Sequence, residues 1–115
     1  MSSFQNVKNK ATFCGRPLGA NSPPLIVAEI GFNHNGDVDL ACEMIRSAAE
    51  NGADAVKLQT FIGSEFISKT VKAKDPDHPE CEIFFYEFFQ RYQLTRKDYE
   101  TLFGFSHELG IPLFS

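Results

Sequence analysis

The sequence predicts an α/β protein in which helices cover a parallel sheet, and three observations support this fold class. Runs of nearly continuous apolar residues at 25–30 and 55–61 are typical of strands buried on both faces. Apolar residues at helical spacing follow the strands. A helix end, a glycine and a new apolar run succeed one another twice, at Gly52 and at Gly110. This strict alternation of helix and strand favours a parallel sheet with its helices outside it.

Residues 1–24 are polar and rich in turn formers, and we expect them to form an N-terminal hairpin or cap. The stretch 14–19, with sequence CGRPLG, predicts a tight turn, and the stretch 21–24, with sequence NSPP, ends that element. The remaining residues, 25–115, contain the first βαβα units and the start of a third strand.

The first unit runs from the strand at 25–30 through a loop at 31–36 into a helix. Asp37 is placed to cap that helix, and Gly52 can take the positive φ that ends it. One face of the helix is apolar, formed by Leu40, Ala41, Met44, Ile45 and Ala48. The sequence therefore predicts an amphipathic helix packed on the sheet.

The second unit begins with the strand at 55–61, followed by a predicted loop over 62–79 and a helix over 81–92. The aromatic face of that helix comprises Phe84, Phe85, Phe88, Phe89 and Tyr92. We interpret these side chains as core packing, with the alternative that they cover a ligand. Thr95 and Asp98 have the spacing of a capping box, which starts another helix that stops before a third strand at 111–115.

Composition and charge exclude several classes of protein. The net charge of −4 and the pI near 5.3 argue against a nucleic-acid surface. Three cysteines without ligand spacing indicate a reducing compartment rather than a disulfide framework. No signal-peptide run precedes residue 25, and Glu29 interrupts the longest apolar run. We therefore expect a cytoplasmic protein that binds neither membrane nor nucleic acid.

Glu29 and Lys57 each lie in an apolar strand, close to its carboxyl end. Burying an unpaired charge is costly, so each side chain needs a partner or a ligand. Sites in parallel α/β folds form at the carboxyl ends of strands, and alternation puts Lys57 and Gln59 on one face. A polar site at this edge is the favoured interpretation, and an ion pair that only fills the interior is the alternative.

Two further polar segments have structural alternatives. The loop at 31–36, with sequence GFNHNG, supplies Asn33 and His34, but it is also what a turn with a helix cap looks like. His34 has no second histidine at ligand spacing, so it does not indicate a metal site. A lysine cluster at 69, 72 and 74 is interpreted as a solvated loop, with steering of an anionic substrate as the alternative.

The motifs LIVAEIGFNHNG at 25–36 and GADAVKLQT at 52–60 resemble those of the sialic acid synthase family. That family includes synthases for N-acetylneuraminic, legionaminic and pseudaminic acids and for spore coat sugars. The stretch 15–19 resembles its N-terminal hairpin, and Leu113-Phe114-Ser115 resembles the start of its third-strand motif. The resemblance implies the N-terminal fragment of a (β/α)₈ TIM barrel preceded by a short β-hairpin. Since three strands cannot close a barrel and the sequence stops within a strand, we expect a fragment.

The resemblance implies a condensation of phosphoenolpyruvate with N-acetylmannosamine or a related N-acetylated amino sugar. The products are a nine-carbon 2-keto sugar acid of the sialic acid type and phosphate. A divalent metal, Mn²⁺ or Mg²⁺, polarises the sugar aldehyde, and its histidine ligands come from strands downstream of this chain. A homodimer is expected for the full-length protein, and the 115 residues alone are expected to be inactive.

By the same resemblance, Glu29 is a catalytic residue near the metal and the attacking water, and Lys57 binds phosphoenolpyruvate. Gln59, Asn33 and His34 are expected to orient ligands or the loop. Ser115, in the third-strand motif, is expected among the substrate-binding residues.

Two rival functions remain open at this point. One is a Schiff-base aldolase that uses Lys57 as its nucleophile, since a lysine at the end of a barrel strand suits that chemistry. The other is a non-catalytic truncated barrel module whose exposed sheet edges bind a partner.

Overall fold

The computed structural model describes residues 11–115, which form seven strands and four helices. In chain order the elements are β1 (Thr12–Phe13), β2 (Arg16–Pro17), β3 (Val27–Gly31), α1 (Val38–Glu50), β4 (Ala55–Leu58), α2 (Gly63–Phe66), β5 (Lys72–Lys74), β6 (Glu82–Phe84), α3 (Phe85–Tyr92), α4 (Arg96–Leu109) and β7 (Leu113–Phe114). The predicted α/β class is confirmed.

The central sheet has three parallel strands in the order β3-β4-β7. Val27, Ala28 and Glu29 pair in turn with the first three residues of β4. The register then shifts, so that Gly31 rather than Ile30 lies opposite Leu58. This β-bulge lies at the end of β3 where the predicted site begins.

Helices α1 and α4 begin and end at the predicted residues. The Asp37 carboxylate accepts hydrogen bonds from the N–H groups of Asp39 and Leu40, which caps α1. Thr95 and Asp98 form the predicted capping box of α4, and that helix ends at Gly110 with φ of 71°. Positive φ is cheap for glycine, which explains the abrupt turn into β7.

The hydrophobic core lies between these two helices and one face of the sheet. Its buried members are Ile30, Ala41, Ile45, Val56, Leu58, Leu94, Leu102 and Ile111. Glu29, Lys57 and Phe114 are register partners across the strands, so they share the opposite face. The prediction that the strand at 25–30 is buried on both faces is wrong for residues 11–115, because α1 and α4 cover one face and the Glu29 side chain stays 45% exposed on the other.

The N-terminal hairpin β1–β2 is tied to the sheet. Cys14 and Gly15 occupy its turn with φ of 47° and 79°, the two left-handed residues that a type I′ turn requires. The Phe13 ring packs edge-on against Phe114 at 5.3 Å, and Arg16 forms an ion pair with Asp54. The predicted hairpin is confirmed, whereas the boundary at residue 24 stays a prediction and residues 1–10 lie outside the described residues.

The segment between β4 and α4 differs from its prediction. The expected loop over 62–79 contains α2 and β5, and the helix expected from Cys81 begins at Phe85. The cause is an antiparallel ribbon in which Lys72 pairs with Phe84 and Lys74 with Glu82. None of the α3 side chains is fully buried, so the interpretation of its aromatic face as core packing is also wrong.

No helix within residues 11–115 combines the length and apolar character needed to cross a bilayer.

Candidate functional site

An open groove of about 280 Å³ lies at the carboxyl ends of β4 and β7. Its lining residues are Phe32, Lys57, Leu58, Gln59, Thr60, Phe61, Phe66, Phe89 and Ser115. The Thr60 N–H donates a hydrogen bond of 2.9 Å to the Ser115 hydroxyl, which joins the ends of the two strands. Of the predicted substrate-binding residues, Lys57, Gln59 and Ser115 therefore meet in one place.

Glu29 and Lys57 form an ion pair directly beside this groove. They lie opposite each other in the parallel register, and Lys57 Nζ is 2.7 Å from Glu29 Oε2. Their side chains are 45% and 41% exposed, so the pair does not fill an interior formed by residues 11–115. An accessible ammonium group beside a carboxylate can bind an anionic ligand and can accept or hold a proton.

Gly31 brings a third polar group to this pair. It has φ of 56°, and a Cβ atom built on it would lie 3.7 Å from Glu29 Oε1 and 3.7 Å from Gln59 Oε1. The Gln59 N–H also donates to the Gly31 carbonyl at 3.1 Å. The bulge at the end of β3 thus gathers a carboxylate, an ammonium and an amide within a small volume.

His34 lies in the loop between β3 and α1, and it is only 1% exposed. Its Nδ1 atom accepts a hydrogen bond from the Gly36 N–H at 3.1 Å, while Nε2 is buried with no partner among the described residues. Burial lowers the pKa of His34, and the nearby Asp37 carboxylate opposes that shift only partly. The histidine is therefore held neutral, with its second nitrogen free to donate a hydrogen bond.

Neither His34 nor Asn33 lines the groove. Asn33 is exposed, and its backbone N–H donates to the Ile30 carbonyl at 3.0 Å. The contact between His34 and Gly36 fits the hypothesis that this segment orients the loop. Contact of either side chain with a substrate stays a prediction.

The groove contains four phenylalanines, and Phe32, Phe61 and Phe66 are absent from the predicted site, whereas Phe89 belongs to the aromatic face for which contact with a ligand was the alternative. One signal could have found Phe61, because alternation from Lys57 and Gln59 puts it on the same side of the chain. Phe32 follows β3 and Phe66 ends α2, so their approach to the groove depends on how separate segments fold together.

The loop that joins β5 to β6 is held against α3 by a charged network. Arg91 contacts Asp75 at 2.6 Å and Asp77 at 2.9 Å, and the Tyr92 hydroxyl donates to Asp77 at 2.6 Å. The hydrogen bond from Arg91 lowers the pKa of the buried Asp75. The predicted lysine cluster lies on and beside β5 rather than on the groove, and Lys72 stacks over Phe84 at 5.2 Å.

A metal site does not form from the described side chains alone. Among residues 11–115 no group of three or more His, Cys, Asp or Glu side chains could hold an ion. Glu29 lies beside the groove, and one of its carboxylate oxygens already contacts Lys57. Glu29 and its neighbours in this range therefore do not fit a metal centre by themselves.

The model of the NeuB family matches residues 44–115. The chain is 52% identical over 96 residues to the N,N'-diacetyllegionaminic acid synthase of Campylobacter jejuni. That alignment covers 79% of this chain and 28% of the other protein. It is 38% identical over 103 residues to the enzyme of the same name from Legionella pneumophila, covering 87% of this chain and 29% of that protein.

A solved structure agrees with these relatives. The crystal structure of an N-acetylneuraminic acid (sialic acid) synthetase from Leptospira borgpetersenii aligns with a TM-score of 0.73 and 27% identity, covering 92% of this chain and 33% of that one. The chain thus spans about a third of the length of the Leptospira protein and somewhat less than a third of the length of the two synthases. The likeness confirms the predicted fold class and is what a part of a larger barrel would give.

Proposed function

The chain belongs to the NeuB family of sialic acid synthases, and on that premise we propose that its protein condenses phosphoenolpyruvate with an N-acetylated amino sugar. The products would be a nine-carbon 2-keto sugar acid and phosphate. Two relatives make N,N'-diacetyllegionaminic acid, which favours a sugar with acylated nitrogen as the acceptor. N-acetylmannosamine and a diacetamido hexose are the acceptors to compare.

The observation that carries the proposal is the Glu29–Lys57 pair at the edge of an open groove. Phosphoenolpyruvate has a carboxylate and a phosphate, and a fixed ammonium group offsets that charge. Lys57 is accessible from the groove, and Ser115 and Thr60 offer further hydrogen-bonding groups at the adjacent strand end. We assign Lys57 to the binding of phosphoenolpyruvate.

Glu29 is assigned the proton transfer. The vinyl carbon of phosphoenolpyruvate attacks the aldehyde carbon of the open-chain sugar, and the aldehyde oxygen takes up a proton. Water then adds to the former enol carbon, and one of its protons passes to a base, which makes up for the proton taken by the aldehyde oxygen. The bond from that carbon to the phosphate oxygen then breaks, the second water proton leaves with the phosphate, and the carbon becomes the keto group. The Glu29 carboxylate is the base in this proposal, and its contact with Lys57 orients it.

Gln59 and Ser115 are assigned to the positioning of substrates in the groove. A divalent metal, Mn²⁺ or Mg²⁺, would supply Lewis-acid chemistry when bound, with its ligands outside residues 11–115. Assembly into a homodimer belongs to the same proposal for the whole protein.

The Schiff-base alternative fits Lys57 less well. A lysine nucleophile has to lose its proton, and enzymes favour that loss by desolvation or by a neighbouring cation. Lys57 is instead 41% exposed and contacts a carboxylate. It therefore lacks the desolvation that such a nucleophile needs, and the charged group that it contacts is an anion rather than a cation.

The test is an assay of phosphate release by the intact protein that contains this chain. We expect release only when phosphoenolpyruvate and an N-acylated sugar are both present. Borohydride treatment with pyruvate should give no covalent adduct, and a trapped adduct at Lys57 would favour the aldolase. Absence of turnover with either sugar would favour a non-catalytic module that binds a partner. Residues 1–115 by themselves should show no turnover.

A further inference from the structure

The groove has a polar side and an aromatic side. Lys57, Gln59, Thr60 and Ser115 form the first, and the phenylalanine rings form the second. Phe66 and Phe89 are 4.8 Å apart between ring centroids, and Phe61 lies 5.6 Å from Phe66 and 5.7 Å from Phe89. These are edge-on or tilted contacts, so the three rings form a continuous apolar wall.

The wall follows the polar groups in a fixed order along the chain. Lys57, Gln59 and Phe61 are alternate residues, and all three line the groove. A ligand lying along this strand end would meet a cation, then an amide, then an aromatic ring.

Phe66 is the most accessible ring of the wall, with 59% of it exposed. It is not a loosely attached side chain, because α2 packs closely on α3. The Gly63 N–H donates to Gln93 Oε1 at 2.8 Å, which anchors the start of α2. A large apolar surface held in place beside a polar groove is typical of a ligand-binding wall.

We propose that Phe61, Phe66 and Phe89 receive the acyl methyl group of the N-acylated sugar, and that Phe66 sets the acyl length that the protein accepts. This inference rests on the proposed function. An N-acyl sugar has the matching order of groups, since its reacting carbon must lie against phosphoenolpyruvate at Lys57, and its amide precedes its methyl group. The amide suits the side chain of Gln59, and the methyl suits the aromatic rings.

The experiment compares N-acetyl-, N-propanoyl- and N-butanoylmannosamine as acceptors of the intact protein. Phe66→Ala removes the accessible ring and should raise the ratio of kcat/KM for N-butanoyl over N-acetyl sugar by about fourfold for each added methylene that finds room. Phe66→Trp should shift the same ratio in the opposite direction. The KM for phosphoenolpyruvate should stay unchanged in both variants.

Phe84→Ala is the matched control, because Phe84 is also an exposed phenylalanine, at 39%, and lies outside the groove. Its acyl preference should equal that of the wild type. Wild-type turnover together with an unchanged acyl ratio in both Phe66 variants would overturn this inference alone. A wild-type protein that releases no phosphate with any of these sugars or with the diacetamido hexose would overturn the proposed function and this inference with it.

Discussion

Gly63 and Gln90 touch so closely that no side chain fits between α2 and α3 at this point. A Cβ atom on Gly63 would lie 2.5 Å from the backbone nitrogen of Gln90 and 2.9 Å from its Cα. Backbone atoms cannot turn aside as a flexible side chain can, so the two helices would have to separate. The position of the accessible Phe66 ring depends on this contact.

Gly63→Ala should therefore destabilise the protein by about 1–3 kcal/mol, the usual range for overpacking. Gly104→Ala is the matched control, because Gly104 lies within α4 and a Cβ atom built on it meets no neighbouring group within 4 Å. That change should stabilise the protein by about 0.5–1 kcal/mol, since alanine favours a helix interior. Urea unfolding of both variants measures the difference, and equal effects would contradict this account of α2.

Lys57→Met should weaken the binding of phosphoenolpyruvate but leave the stability of the fold nearly unchanged. The Glu29–Lys57 pair is almost half exposed, so its loss should change the free energy of unfolding by less than about 1 kcal/mol. The KM for phosphoenolpyruvate should rise by about tenfold or more, because a charged hydrogen bond to the substrate is lost. Steady-state phosphate release measures the KM.

Lys97→Met makes the same chemical change on α4, outside the groove, and should leave the KM unaltered. An unchanged KM in Lys57→Met would exclude Lys57 from phosphoenolpyruvate binding. Glu29→Gln should instead lower kcat, because the amide cannot take a proton from water.

His34 should make stability depend on pH. Burial lowers its pKa below the ordinary value of 6.5, so the unfolded chain takes up a proton that the folded chain resists. The contribution of the neutral His34 to the free energy of unfolding should be fully present above pH 6.5 and should decrease as the pH falls from there through the folded pKa. The slope contributed by one proton is at most about 1.4 kcal/mol per pH unit.

His34→Asn keeps an acceptor for the Gly36 N–H but cannot titrate, so this part of the pH dependence should vanish. His107→Asn, on the exposed surface of α4, should retain it. Denaturant unfolding between pH 7.5 and pH 5, in steps of about half a unit, compares the three proteins. Parallel curves for wild type and His34→Asn would show that His34 does not titrate on unfolding.

Arg91→Ala should destabilise the protein more than Arg96→Ala. Arg91 joins two aspartates, one of them buried, whereas Arg96 pairs with Glu100 on the exposed surface of one helix. The second pair is worth about 0.3–0.5 kcal/mol. Thermal unfolding ranks the two variants, and equal melting temperatures would show that the network does not hold the loop after β5.

The contribution of the same network to stability should be lost at low pH. Arg91 lowers the folded pKa of Asp75 below 3.8, so its contribution is present above that pH and is lost as the pH falls through the folded pKa. Arg91→Ala should remove this part of the acid sensitivity.

The elements that sequence patterns predict correctly are those with chemical signals at their own ends. Asp37 starts α1, Thr95 and Asp98 start α4, and Gly110 ends it. Each signal acts through hydrogen bonds or dihedral angles within a few residues. A local pattern contains all of that information.

The segment after β4 could not be predicted in the same way. Lys72–Lys74 pairs with Glu82–Phe84 across the loop between them. The residue pattern within either short strand does not predict that it pairs with the other. The aromatic pattern at 84–89 therefore suggested that the helix starts earlier than it does. Pairing between distant segments overrides local helical spacing here.

The candidate site was predictable in part for a similar reason. The shared face of Lys57 and Gln59 follows from alternation along one strand. That Glu29 lies opposite Lys57 follows only from the register of two strands, and Phe66 reaches the groove only through a helix that the sequence did not announce.

The bulge in β3 makes the length of this strand as important as its composition. Val27 to Glu29 pair residue for residue with β4, and the skipped Ile30 then turns into the core. Deleting one residue before the bulge would exchange the two faces, placing the carboxylate of Glu29 among aliphatic side chains and the isoleucine beside Lys57. A single substitution in this strand leaves the alternation of side chains between the two faces intact. A one-residue deletion would instead abolish both the Glu29–Lys57 pair and the packing of the core.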